Sequence, residues 1–352
     1  MIWNQAFLSE GKTIKRTRVL TKAGPLLAFV LICIALEIVT GGRFLTTSNI
    51  ANILRQVPII ALMAIGMLCV ILLGGIDLSA GSLLAIGLCT SGVVRKFYLT
   101  NDSLISGIIL LTICVVVSTV FGFINGILLT KLRLPHPFIA TLGSKFVCRG
   151  LALLITGSAT ISGFPNSATT IGTYNLFGAI PLSFILTISL YIVMHIFLSN
   201  VATGRKIYAF GGNREAAKYA GINTDKVQIL CYSLSGLFCG IAGIVYLGRL
   251  NSAVPLATQD GDMDAIASCI IGGASFLGGK GNVWGTLVGA FMIQVIRNGC
   301  TLLKLSTDLQ QIVIGIIIIV AVYIDVLRNE MDNKRKLLAV AKANKVEDAN
   351  IN

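Results

Sequence analysis

Apolar residues along this chain come in long runs, parted by short polar or glycine-rich joints, and the runs have the length of helices rather than strands. A bilayer core of roughly 30 Å asks for about 20 apolar residues per helix, and shorter or broken helices are tolerated where protein or water covers their backbone. By that measure ten helical segments are predicted, near 24–40, 57–73, 78–94, 104–130, 138–156, 180–199, 227–249, 264–279, 283–303 and 309–327. The seven prolines, at 25, 58, 135, 137, 165, 181 and 255, fall at the ends of these segments or between them, where a missing N–H does least harm. The expected fold is an all-α polytopic membrane protein of about ten transmembrane helices. A basic segment, 1–23, precedes a membrane domain, 24–327, and a polar tail, 328–352, follows.

Two glycine-rich joints, Gly74–Ser82 and Gly272–Gly281, interrupt apolar runs at matching places in the two halves, about 45–199 and 227–327. Paired interruptions of this kind are expected of inverted-repeat halves with broken or re-entrant helices, because irregular backbone survives in a membrane only inside protein or around a cavity. Composition agrees: 55% of residues are hydrophobic and 12% charged, against about a quarter charged in soluble domains, and mean hydropathy is +0.85. The net charge of +13 does not point to nucleic acid, since the basic residues sit in short loops and tails without interleaved aromatics. They fix orientation instead. With the N-terminus inside, Lys12 to Lys22, Lys131, Arg133, the 200–226 loop, Lys280 and the tail from Arg328 all lie on the inner side. Arg95-Lys96 is the pair that opposes this bias. The nine cysteines lie mostly inside apolar runs with no Cys-x-x-Cys and read as buried thiols. The start of the chain, polar and basic to Lys22 and then apolar over a full span, lacks the pattern of a cleaved signal peptide.

One long polar island, residues 200–226, separates the halves. Within it Asn213 suits an N-cap, Glu215 places negative charge in the first turn and Gly221 suits a left-handed terminator, so a two-turn helix is expected. Such a helix is marginal alone, and Ala216, Ala217 and Ala220 give it a face small enough for a partner's groove. Asp77, followed by Ser79, reads either as a cap for the next helix or as a polar group beside a transport path. Asn125, inside an apolar run, reads either as an interhelical hydrogen-bonding residue or as path lining. Ser275 and Phe276 stand at the second joint as cavity or gate neighbours, while Gly285 to Ala290 reads as close helix packing. Lys145 and Arg149 share a helical face, with Glu37 or Asp77 as candidate partners. Glu37 reads as snorkelling to headgroups and His195 as an interface residue. Gly279-Lys280 lacks the rest of a phosphate-binding loop, so no nucleotide site is expected here.

The run Gly-Gly-Asn-x-Glu-Ala-Ala-x-x-x-Gly-Ile, Gly211 to Ile222, resembles the cytoplasmic coupling loop of permease subunits from ribose/xylose-type ATP-binding-cassette sugar importers. Gly74-Gly75-Ile76-Asp77-Leu78-Ser79-Ala80-Gly81-Ser82 is similar to the corresponding region of those permeases, as is Phe121 to Gly126 with the Lys131-Leu132-Arg133 turn and Phe138 to Gly143 after it. Lys145 is a departure, whereas Arg149-Gly150 fits. The resemblance covers nearly all of 45–327.

It implies a multi-pass permease of the bacterial inner membrane with both termini cytoplasmic, and no catalysis by this chain. Implied partners are a separate ATPase subunit holding ATP and magnesium, an external sugar-binding protein, and a second permease subunit, identical or homologous. The coupling helix implied spans Gly212, Asn213, Glu215, Ala216, Ala217, Ala220, Gly221 and Ile222, with Asp77, Ser79, Asn125, Ser275 and Phe276 as path or gate candidates. A branched-chain amino-acid permease shares the architecture. An ion-coupled secondary transporter would need facing acids or histidines within the spans, for which Glu37, Asp77 and His195 are well separated. An intramembrane enzyme lacks any motif beyond isolated His136 and His195.

Overall fold

The computed structural model describes residues 25–330 apart from 133, 135, 177, 179, 321, 325, 328 and 329. The basic N-terminal segment, Arg133 and almost all of the tail, on which part of the expected orientation rests, lie outside the described residues. The order is α1 (Pro25–Val39), α2 (Thr47–Leu72), α3 (Ala80–Phe97), α4 (Leu104–Thr130), α5 (Pro137–Thr156), β1 (Ile161–Ser162), α6 (Asn166–Thr173), β2 (Asn175–Leu176), β3 (Ile180–Pro181), α7 (Leu182–Asn200), α8 (Ala202–Gly212), α9 (Arg214–Tyr219), α10 (Thr224–Leu250), β4 (Ser252–Ala253), α11 (Gly261–Ile271), α12 (Val283–Leu302) and α13 (Thr307–Ile324). The strands are two-residue antiparallel clips, β1 on β4 with Ile161 opposite Ala253, and β2 on β3.

All ten predicted segments fall on helices, and two were drawn wrongly. The segment expected at 57–73 begins ten residues earlier, at Thr47, and carries Pro58 inside it. Its first turns, with Asn49, Asn52, Arg55 and Gln56, were too polar to read as part of a span. The segment expected at 264–279 is α11, which stops at Ile271 where Gly272-Gly273 follows. Its 11 residues reach only about 16 Å, half a bilayer core. Among the described residues six helices, α2, α4, α5, α7, α10 and α13, are long and apolar enough to cross a membrane. In α12, Gln294, Arg297 and Asn298 dilute the apolar character, and in α3 Arg95 and Lys96 do so. Helices of this length and composition make a multi-pass membrane protein.

In the most apolar part of α2, 83% of residues are buried, against 28% in α4, 22% in α5 and 6% in α13. A helix buried on every side belongs at the centre, and one apolar yet exposed faces lipid. Thus α2 is the axis, α10 lies beside it, and α1, α4, α5, α7 and α13 form the outer ring. Helix α10 meets α4 at backbone distance: a Cβ added to Gly122 would stand 2.5 Å from the Tyr232 carbonyl oxygen. Small residues are what permit such approach between membrane helices. Gly285 and Gly289 do the same work for α12 against Gly272 and Ser268, which is the packing reading of that stripe.

Candidate functional site

Among the described residues, three polar regions bear on the candidate site. The first is α9, at the end of the bundle where α2 finishes and α10 begins. Asn213 accepts from the Ala216 N–H at 2.9 Å, and Gly221 closes the turn at φ +80°, a backbone conformation that glycine adopts without the Cβ penalty. The alanines do not share an outer face: Ala217 is buried, while Ala216 and Ala220 are exposed. Ala217 therefore anchors α9 to its own chain. What α9 presents outward is Tyr219, 88% exposed, with Arg214, Glu215 and Lys218. Those three charged side chains also line a groove of about 650 Å³ with Leu129, Ile222 and Asp225. Before it runs α8, which no sequence signal announced, ending in Gly211 against the last turn of α2 and the Gly278-Gly279 turn. Arg214 lies over the Phe210 ring at 5.4 Å, joining α8 to α9.

The second region is the break between α2 and α3, residues 73–79. It turns back into the protein, and Asp77 is fully buried there. One carboxylate oxygen accepts from the Ser79 N–H at 2.9 Å and the Ser79 hydroxyl at 2.5 Å. The other accepts from Ser235 of α10 at 2.7 Å. Asn125 of α4 donates to the Ser79 oxygen at 2.8 Å and accepts from Ser144 of α5. Asp77 thus caps the approach to α3 and, with Asn125, ties α3, α4, α5 and α10 together. Among the described residues its surroundings are hydroxyls and amides, with no cation paired to it.

The third is the break between α10 and α11, residues 251–260, which sequence reading passed over. It also turns inward. Thr258 lies against Gly81, where a Cβ would stand 2.2 Å from the Thr258 carbonyl oxygen. Gly261 packs on Met63, sixteen residues into α2, about 24 Å from its start. Charge holds this break. Lys145 pairs with fully buried Asp262 at 2.8 Å, Arg149 donates to the carbonyls of Pro255 and Ala257 at 2.6 and 3.0 Å, and Arg297 of α12 contacts both oxygens of Asp264 at 2.8 Å. The partner of Lys145 is therefore neither Glu37 nor Asp77. Glu37 instead accepts from the Leu45 N–H at 2.8 Å. Asp262 and Asp264 add two buried acids to the set weighed above. Between this break and helices α2, α10 and α12 lies a cavity of about 290 Å³.

Ser275 and Phe276 sit in neither break. They lie in the turn after α11, at the α9 end, where Gly279 donates to the Leu72 carbonyl at 2.9 Å. The two glycine-rich joints thus pack against each other rather than marking opposite ends. His195 packs its ring against Trp284 at 5.9 Å, an interface contact.

Residues 49–322 match the family described as "Branched-chain amino acid transport system / permease component". The chain belongs to that family. Among curated relatives, it is 38% identical over 330 residues to the ribose import permease protein RbsC of Bacillus subtilis (strain 168), covering 90% of this chain and 96% of that protein. It is 35% identical over 321 residues to the RbsC of Escherichia coli (strain K12), covering 89% and 98%, and 31% identical over 374 residues to the xylose transport system permease protein XylH of Haemophilus influenzae, covering 89% and 96%. No solved structure matches the chain significantly. These findings make it a transport permease, with a transport role rather than a catalytic one.

Proposed function

We propose that this chain is the membrane-spanning permease subunit of an ATP-driven importer that carries a sugar, a pentose or hexose, delivered by an external binding protein. The observation that carries the reading is full-length similarity to permeases named for ribose and xylose, with further relatives named for allose and fructose. Two such permease subunits, identical or homologous, form the path in the bacterial inner membrane. Ten spans in two inverted halves put both termini in the cytoplasm, as the bias of Lys and Arg supports. ATP and magnesium belong to a partner ATPase, and α9 is the element it grips.

The packing of α8 makes α9 an effective lever. Closure of the ATPases displaces Arg214 to Tyr219, and the contact of Gly211 with the end of α2 passes that displacement to the glycine turns. Ser275 and Phe276 then act as neighbours of the gate, while Asp77, Ser79 and Asn125 hold its hinge rather than meet the solute. The family description gives the second reading, a branched-chain amino acid as solute.

Proteoliposomes containing the whole transporter decide between these. ATP-dependent uptake of labelled ribose, xylose, allose or fructose that requires the ATPase and the binding protein is expected. ATP-dependent uptake of leucine without any sugar selects the second reading, and transport driven by a proton gradient without the ATPase rejects both.

A further inference from the structure

The cavity of about 290 Å³ beside the second break is built from side chains that the transport role itself does not explain. Tyr246 and Arg249 of α10, Gln259 and Asp260 of the break, and Arg297 of α12 line it, over an apolar floor that includes Met63. Arg249, Gln259 and Asp260 are exposed, and Arg249 has no hydrogen-bond or ion-pair partner among the described residues. Arg297 is held by one nitrogen against both oxygens of Asp264.

Size and charge narrow what the cavity takes. The volume lies near the lower edge of the roughly 300–1,000 Å³ of small-molecule sites, which suits a single sugar ring. Arg249 and Arg297 line it with Asp260 and Asp264, so the lining carries no net formal charge. Arg55 stands near Arg249 but does not line the cavity. Planar donors and acceptors beside an aromatic ring match a neutral ring with hydroxyls on its rim and C–H groups on its face.

We infer that this cavity is a solute-binding site of the permease itself, for one neutral monosaccharide, with Arg249, Gln259 and Asp260 as its polar contacts. The inference rests on the sugar-importer reading and goes beyond it, since a permease needs no site of its own if the binding protein releases solute into an open path. A sugar held here is retained in the membrane subunit after release, before α9 moves.

Saturation-transfer NMR on the full chain in nanodiscs, without ATPase or binding protein, tests this with D-ribose, D-xylose, D-allose, D-fructose, ribose 5-phosphate and leucine as probes. At least one neutral sugar should give a signal, which Arg249→Ala and, independently, Gln259→Ala weaken by fivefold or more while thermal unfolding stays unchanged. Signals absent for every sugar, equal in wild type and both variants, or stronger for ribose 5-phosphate or leucine would overturn the inference. Sugar uptake by the complete transporter together with any of these outcomes leaves the importer role standing and removes the site alone.

Discussion

The two breaks that follow the long buried helices, 73–79 after α2 and 251–260 after α10, solve one problem by different chemistry. Each turns irregular backbone back into the protein and starts a shorter helix there. The first is closed by a single buried carboxylate whose oxygens are shared among hydroxyls and one backbone N–H. The second is held by cations reaching in from α5 and α12, and it leaves a cavity beside it. At the first break the hydroxyls of Ser79, within the break, and Ser235, from a neighbouring helix, meet the carboxylate, and the Asn125 amide of another helix meets Ser79. Long basic side chains tie segments together across space and can release them by a change of rotamer. The contrast teaches that two interruptions of a helix can be held by different side chains, hydroxyls and an amide at one and cations from neighbouring helices at the other.

The comparison breaks first at Asp77. Replacing it with leucine strands the Ser79 N–H and two hydroxyls, at about 1–3 kcal/mol each, so Asp77→Leu should lower stability by about 3 kcal/mol or more. Thermal unfolding in detergent is the measurement, and a small change would mean the first break is not held by this network. At the second break, Asp262→Leu leaves Lys145 without its counter-charge and should cost about 2–4 kcal/mol. Adding Lys145→Met should return much of that loss, because an apolar pair substitutes for an ion pair better than half a pair does. No second substitution of that kind is expected to rescue Asp77→Leu, and rescue there would erase the distinction. The smallest effect on stability is expected in α9. Gly221→Val places a branched side chain at φ +80° and should cost about 1–2 kcal/mol, with membrane insertion retained, and Glu215→Lys should cost almost nothing. Both should reduce capture of the ATPase subunit in pull-down assays and abolish sugar uptake. Normal capture by both variants would separate α9 from ATPase docking.

How much of this was readable beforehand depended on whether the forces were local. The cap at Asn213, the left-handed Gly221 and the first break were legible because Gly-Gly-Ile-Asp-Leu-Ser and Gly-Gly-Asn-x-Glu carry their own turn chemistry. The second break was not, since Asn251 to Asp264 reads as an ordinary polar loop. Its acids are neutralised by Lys145 and Arg297, 117 and 33 residues away along the chain. The outward face of α9 was assigned to its alanines because small side chains suit a groove. Packing of Ala217 against the chain instead turned Tyr219 outward, and only tertiary contact decides that rotation. Pro58 marked an end in the sequence but lies within α2, where burial on all sides outweighs the hydrogen bond its ring removes.

Gly81 and Thr258 belong to different halves and touch without any side chain between them. That leaves no compressible layer to absorb a shift: if residue 258 slides, the first turn of α3 must yield or be pushed. A lengthened or shortened 251–260 loop would accordingly be felt at the first turn of α3, in the opposite half of the chain.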